Sequence, residues 1–395
     1  KDLEQYRDQV LGYSENSVKS IADINAALYT AAQAGIKYSE SLEFMGKAEQ
    51  LAVANNANLN TTVDLLTGTM NAYGYTVKDV GHLNDVFFTS TLIGKQTIDS
   101  LSQSMGQVVG IAANFGVSFE ELSAAIATLT AKGMETSEAI TAVKGVITTI
   151  VQPSQEAAKA AAALGLNFSA SSLKAEGLSG MLNKVMTATG GNADSMSKLF
   201  GEVRALNGVM QLTGDGMKFF NDAILQVNNS TGNCEAAYKK MVETFKNQGK
   251  MLINNVQGLL ISIGTKLEPV SAGIASSLSD VLKGVKVSMD AGAFDPLFAE
   301  LSKYGAKIAE TLKTIAKNFP EAMKGIDFSV LIKSLNGLGG SLGDAFKAIF
   351  GNIDLTTVEG LHTAIQKITN GLAKLIDVTK GIIDGMKPLF SAIGK

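Results

Sequence analysis

One stretch of the sequence decides the fold: residues 116–139 read GVSFEELSAAIATLTAKGMETSEA. It contains two glycines, Gly116 and Gly133, and each is followed by an apolar residue and then by residues typical of a helix start. Glycine commonly ends a helix because it adopts the left-handed conformation without a Cβ penalty. Ser, Thr and Asp oxygens accept the free N–H groups of the next helix. The stretch therefore predicts helices separated by sharp stops, without strands.

The same junction occurs earlier in the chain, at Gly35 and Gly74. Thr76 and Asp79 have the spacing of a capping box, in which each side chain bonds the other residue's backbone N–H, and so do Ser118 and Glu121. Between junctions the apolar residues recur at helical spacing, and Leu122, Ile126 and Leu129 form one such stripe. The N-terminal part is therefore predicted to be a compact all-α domain of stacked helical hairpins.

The pattern changes towards the C-terminus. Residues 167–180 are predicted to be irregular, whereas from about residue 236 long amphipathic helical stretches follow, beginning with 236–263. The sequence thus predicts two domains, a compact α-helical domain over 1–235 and an extended amphipathic helical region over 236–395.

Composition limits the classes of function. The 395 residues carry a formal net charge of −3, and no run of Lys or Arg forms a nucleic-acid-binding patch, so we predict no specific nucleic-acid binding. One cysteine, Cys234, permits neither an intrachain disulfide nor a cysteine-based zinc cluster. No window of about 18 residues is strongly apolar and free of charge, as an ordinary transmembrane helix requires. Because the chain begins with Lys1, we expect it to be part of a longer protein.

One segment invites an enzymatic interpretation. Residues 208–212, GVMQL, look like the Gly-Leu-Met-Gln segment of lytic transglycosylases, which need a Glu as general acid in an apolar pocket. The nearest upstream acid is Glu202, which lacks the following Ser of that family, and the downstream Tyr/Asn-rich element is missing. Helix packing is therefore the favoured interpretation of these residues.

Four other residues are candidates for a functional site. His82 and Asp85 lie one helical turn apart and could share a proton or a metal, but His362 is remote in sequence and two ligands do not make a site. A helix-surface or capping interaction is the favoured alternative. Cys234 has no nearby His to activate it as a nucleophile. We therefore predict no catalytic, cofactor-binding or metal site.

The C-terminal region has two possible interpretations. Apolar residues such as Leu375, Ile382 and Phe390 form a broad helical face with lysines opposite. This face is typical of helix–helix packing in an oligomer or against a surrounding wall. The alternative is insertion of residues 297–395 into a membrane.

The order of the elements resembles the core region of tape measure proteins from lactococcal-type long-tailed phages and related tailocins. The resemblance covers roughly residues 15–225. The best match is residues 112–118 followed by Glu120, Glu121 and Leu122. The other matching elements are residues 31–36, 52–54, 60–71, 72–75, 85–90, Gly94, 97–105, 129–133, 138–139, Pro153, 164–165, 199–201 and Arg204.

The resemblance implies a structural, non-enzymatic role in the virion, in the lumen of the tail tube, after assembly in the host cytoplasm. Such proteins set tail length, template tube assembly and leave ahead of the DNA on ejection. The implied partners are the tail tube protein, tail-tip or baseplate proteins and further copies of the chain as a homotrimer, with host membrane contact after ejection and no cofactor. The alternatives are a membrane-active, pore-forming helical protein and, less favoured, a peptidoglycan-cleaving module.

Overall fold

The computed structural model describes residues 2–267, together with 359–360, 362–363, 366 and 370. The chain divides into two units, Lys1–Ser276 and Ser277–Lys395. In the second unit the six described residues are helical, and Thr363 Oγ1 donates to the carbonyl of Glu359 at 2.8 Å. The predicted membrane-active segment 297–395 lies almost wholly outside the described residues.

Within the described residues of the first unit the secondary structure consists of helices alone, which confirms the all-α class. Its α-helices are α1 Asp2–Glu15, α2 Ile21–Gln33, α3 Ser41–Ala54, α4 Leu59–Tyr73, α5 Val80–Gly94, α6 Ile98–Ser104, α7 Val109–Asn114, α8 Phe119–Ala131, α9 Thr136–Val151, α10 Gln155–Ala163, α11 Ala170–Thr189, α12 Ala193–Leu199, α13 Val203–Leu212, α14 Asp215–Asn228, α15 Asn233–Val242 and α16 Phe245–Leu267. Short 3₁₀ helices lie at Tyr38–Glu40, Val77–Asp79 and Met105–Gln107.

The predicted glycine stops are confirmed. Gly35, Gly74, Gly116 and Gly133 all have a φ between +73° and +97°, the left-handed conformation expected at these helix ends. The apolar residue after the glycine closes the junction, since the Val117 N–H donates to the carbonyl of Ala112 at 3.0 Å. These stops keep the helices short and turn the chain back on itself.

The central helix is α8. Its residues Leu122–Thr130 are all buried, so both the predicted apolar stripe and the opposite face lie in the core. It packs against α5 on one side and α14 on another. A helix without charges over this length suits burial on every face, and the small residues allow close approach. A Cβ on Gly94 of α5, for example, would lie 2.8 Å from the Cα of Ala127.

Two of the predicted boundaries are wrong. Residues 170–180, predicted to be irregular, are mostly helical and form the first half of α11, which bends at Gly177. The predicted long helix over 236–263 is two helices, because α15 ends at Val242 and α16 begins at Phe245. The predicted domain boundary between 235 and 236 falls inside α15, and the division into two domains stays a prediction.

The loop after α1 is held from two sides by buried polar groups. Glu49 of α3, which is 2% exposed, accepts hydrogen bonds from the Tyr13 hydroxyl, from Ser17 Oγ at 2.8 Å and from the Val18 N–H at 2.9 Å. From the other side Asn254 of α16 donates to the carbonyls of Ser17 and Lys19 at 2.8 and 2.7 Å. Burial beside Glu49 raises the pKa of Tyr13 above its ordinary range, so the phenol keeps the proton that it donates.

Candidate functional site

His82 and Asp85 lie on α5, and the structure gives them separate partners. His82 Nε2 lies 2.6 Å from Glu120 Oε1 of α8, at a half-exposed position. Asp85 is buried, and its two carboxylate oxygens accept the N–H groups of Gly232 and Cys234, each at 2.9 Å. The carboxylate therefore caps the N-terminus of α15, where a negative charge is favourable. This is the capping interaction favoured by the sequence over a shared proton or metal.

Cys234 lies directly under this cap. It is 2% exposed. Burial, and secondarily the charge of Asp85, raises the pKa of the Cys234 thiol to about 12. Since the thiolate is the nucleophilic form, a thiol with this pKa is inert at neutral pH. Cys234 packs in the core rather than serving as a reactive group.

The GVMQL segment lies on α13, which packs closely on α9. A Cβ on Gly208 would lie 3.1 Å from the Cβ of Ala142, so the glycine permits this close approach. Glu202 is exposed, and its Oε2 accepts the Ala205 N–H at 2.8 Å as the N-cap of α13. A general acid of the kind that cleaves glycosides needs an apolar environment, and Glu202 has the opposite one.

A cavity of about 280 Å³ adjoins Gln211. Its acidic lining residue is Asp215, which is exposed at the start of α14, and Glu202 is not among the residues that line it. Lys132 Nζ reaches across it and donates to the carbonyl of Gln211 at 2.8 Å. The cavity thus joins the end of α8 to the end of α13 and does not enclose a buried acid.

Sequence reasoning placed Glu121 in a local capping box and missed that its carboxylate reaches across the fold. Glu121 Oε2 accepts the Leu178 N–H at 3.2 Å and Glu121 Oε1 accepts the Ser179 N–H at 3.0 Å. These are free N–H groups of the second half of α11, which restarts after the bend at Gly177. The predicted capping box is therefore half right: Ser118 Oγ accepts the Glu121 N–H at 3.1 Å, but the Glu121 side chain serves another helix.

The remaining candidate is His362, which is helical and exposed. Among the described residues, His, Cys, Asp and Glu side chains form no group of three that could hold a metal ion. Within the same residues no helix is long and apolar enough to cross a membrane. What the sequence brings together here is a set of polar caps that fix helix ends.

Comparisons with known proteins identify similar phage tail proteins. The family described as phage-related minor tail protein matches residues 7–201. The tape measure protein of Pneumococcus phage Dp-1 is 22% identical over 292 residues, which are 72% of this chain and 25% of that protein. The probable tape measure protein of Clostridium phage phiCD119 is 22% identical over 313 residues, 76% of this chain and 33% of that protein.

The chain is similar to phage tail tape measure proteins. This similarity supports a structural role in the phage tail, and it confirms the resemblance found in the sequence. The chain spans only a quarter to a third of the length of these relatives. No solved structure matches it.

Proposed function

We propose that this chain is a folded section of a tape measure protein that acts inside the tail tube. There the whole protein sets tail length, templates assembly of the tube and assists delivery of the genome through the host envelope. The observation that carries the proposal is the family match over residues 7–201, which begins within α1 and ends just after α12 of a compact helical unit.

The compactness of this unit limits how much it can contribute to the length of the tail. A compact unit of 276 residues has a radius of gyration of about 19 Å, whereas the same number of residues in one helix would extend roughly 410 Å. The longest described helix, α16, has 23 residues and spans about 35 Å. The folded section therefore adds little length per residue. In this proposal the extended ruler lies elsewhere in the longer protein.

The proposed partners follow from this placement. They are the tail tube protein, the tail-tip or baseplate proteins and further copies of the chain. A rod inside a tube with rotational symmetry needs an oligomeric state that fits the tube. Closed cyclic symmetry is the default for homo-oligomers, and a homotrimer is the proposed state. Host membrane contact after ejection is assigned to residues 297–395.

In-frame deletions in the full-length gene test the proposal. Removing 100 residues outside this section should shorten the tail by about 150 Å, because an extended helix rises about 1.5 Å per residue. A deletion of equal length inside residues 1–267 removes buried core helices, and it should abolish tail assembly instead of shortening tails. Electron microscopy of the particles measures both outcomes.

Two results would contradict the proposal. Tails of unchanged length after every deletion outside the section would show that the protein does not set tail length. Tails that shorten in proportion to deletions inside residues 1–267 would show that this section is extended in the virion and not folded.

A further inference from the structure

Three lysines surround a pocket on the first unit. A cavity of about 250 Å³ lies where the loop after α1, the end of α3 and the start of α16 meet. It is lined by Val18, Lys19, Val53, Asn56, Met241, Thr244, Lys246, Asn247 and Lys250. None of these lining residues is acidic. We name Lys19, Lys246, Lys250 and the cavity between them the lysine pocket.

Lys19 is held in place and partly desolvated. Its Nζ donates to the carbonyl of Ala57 at 2.6 Å, which leaves two further N–H donors on the ammonium group. Burial lowers the pKa of Lys19, and the positive charge of Lys250 lowers it further. The fold therefore keeps like charges together at a cost, and an anion in the cavity would offset that cost.

The nearby carboxylates do not fill this role. Glu49 lies behind Val18, and its oxygens already accept hydrogen bonds from Tyr13, Ser17 and Val18. Asp23 lines a neighbouring cavity of about 310 Å³, which shares Val18, Lys19 and Lys250 with the lysine pocket. Asp99, which also acts on Lys19, accepts a hydrogen bond from the Thr61 hydroxyl and does not line the lysine pocket. The residues that line the cavity beside Lys246 therefore include no carboxylate.

We propose that the lysine pocket binds a phosphate group, either free inorganic phosphate or the phosphate of a phosphomonoester. Ammonium groups bind phosphate as point charges with several rotatable donors. The three lysines together carry enough positive charge to neutralise a phosphate dianion. The cavity exceeds several-fold the roughly 30 Å³ that one water molecule occupies, so a tetrahedral anion fits. The neighbouring cavity gives the organic part of a phosphomonoester a place next to Lys19 and Lys250. The site is independent of the proposed role in the tail.

The test uses the full 395-residue chain and measures its melting temperature and the line width of the ligand's ³¹P resonance. Binding should broaden that resonance. Phosphate at 10 mM should raise the melting temperature by about 2 °C over sodium chloride of equal ionic strength, as expected for a ligand with a dissociation constant of roughly 1 mM. Adenosine 5′-monophosphate, with adenosine as its control, tests the phosphomonoester. A shift with phosphate alone assigns the site to the free ion, and a shift with both extends it to phosphomonoesters.

The double variant Lys246→Gln/Lys250→Gln should lose this shift. Both side chains are exposed, so the variant should fold, and without phosphate it should be as stable as the parent or slightly more stable, because repulsion on Lys19 is relieved. Lys159→Gln, an exposed lysine on α10, is the matched control and should keep the shift. The proposal is overturned if chloride stabilises equally, if the double variant keeps the shift and the ³¹P broadening, or if Lys159→Gln loses them.

Discussion

Gly177 lies against the carboxylate of Glu121, so closely that a Cβ on Gly177 would be 2.7 Å from Glu121 Oε1. The contact joins α8 to the bend in α11, where Gly177 has φ +70° and ψ 175°. This backbone conformation is essentially restricted to glycine. The glycine therefore makes the bend, and the bend exposes the two N–H groups that Glu121 caps.

Gly177→Ala should destabilise the protein by about 3 kcal/mol, since the backbone strain costs 1–3 kcal/mol and the displaced cap adds to it. Chemical denaturation followed by circular dichroism measures the change. Gly180→Ala is the matched control three residues on. A Cβ there meets only Glu176 Cβ at 3.4 Å, so helix propensity should stabilise this variant by about 0.5–1 kcal/mol. Equal effects of the two substitutions would contradict the account of the bend.

Asp85→Asn should loosen the start of α15. The amide offers one oxygen in place of two charged ones, so one of the two N–H groups loses its acceptor, and the favourable charge at the helix N-terminus is lost. The cost should be about 2 kcal/mol. Since the chain has one cysteine, the labelling rate of Cys234 by a thiol reagent reports local opening, together with the lower thiol pKa that follows from loss of the Asp85 charge.

In the parent protein Cys234 should react on the order of a thousandfold more slowly than a free thiol, because of its raised pKa and its burial. Asp85→Asn should raise that rate severalfold. Asp222→Asn, which alters an exposed carboxylate paired with Lys218, should leave it unchanged. A labelling rate in Asp85→Asn equal to that of the parent would show that the cap does not hold α15.

The caps made by Glu121 and Asp85 show how far the sequence predicts the structure. Glycine stops and local caps such as Ser118 follow from residues within one turn of each other, so spacing alone revealed them. Asp85 and Gly232 are 147 residues apart, and no local pattern links them. For Glu49 the sequence offers one signal, a carboxylate on the apolar face of α3 next to Ala48 and Ala52. Such a position indicates a buried polar contact but does not identify the partner residues.

The predicted capping box at Thr76 and Asp79 is present, and it makes stability depend on pH. Asp79 accepts the Thr76 N–H and the Thr76 hydroxyl, both at 2.8 Å. These hydrogen bonds, that of the backbone first, lower the pKa of Asp79 below its ordinary value. Because the pKa is lower in the folded state, the contribution is full above the unfolded pKa of about 4 and is lost as pH falls through the folded value.

Asp79→Asn should therefore be less stable than the parent at pH 7, and the difference should shrink below pH 4 as the parent loses its cap. Urea midpoints measured from pH 2 to pH 7 give the two curves. Asp64→Asn, an exposed carboxylate within α4, is the control and should run parallel to the parent. A difference between Asp79→Asn and the parent that stays constant down to pH 2 would exclude the charged cap.

Asn254 tests where the first domain ends. Its side chain donates to three backbone carbonyls after α1, those of Ser14, Ser17 and Lys19. Asn254→Ala leaves these buried acceptors without that donor, which should cost about 2–3 kcal/mol. If α16 folds together with the helices before it, hydrogen exchange should accelerate in both α1 and α16. Gln257→Ala, one helical turn later, is the control and should change neither helix.

The two possible outcomes of Asn254→Ala place the domain boundary differently. Acceleration of hydrogen exchange in α16 alone would mean that the N-terminal domain folds without α16, as the predicted boundary at residue 235 requires. Acceleration in both helices would move that boundary beyond Asn254.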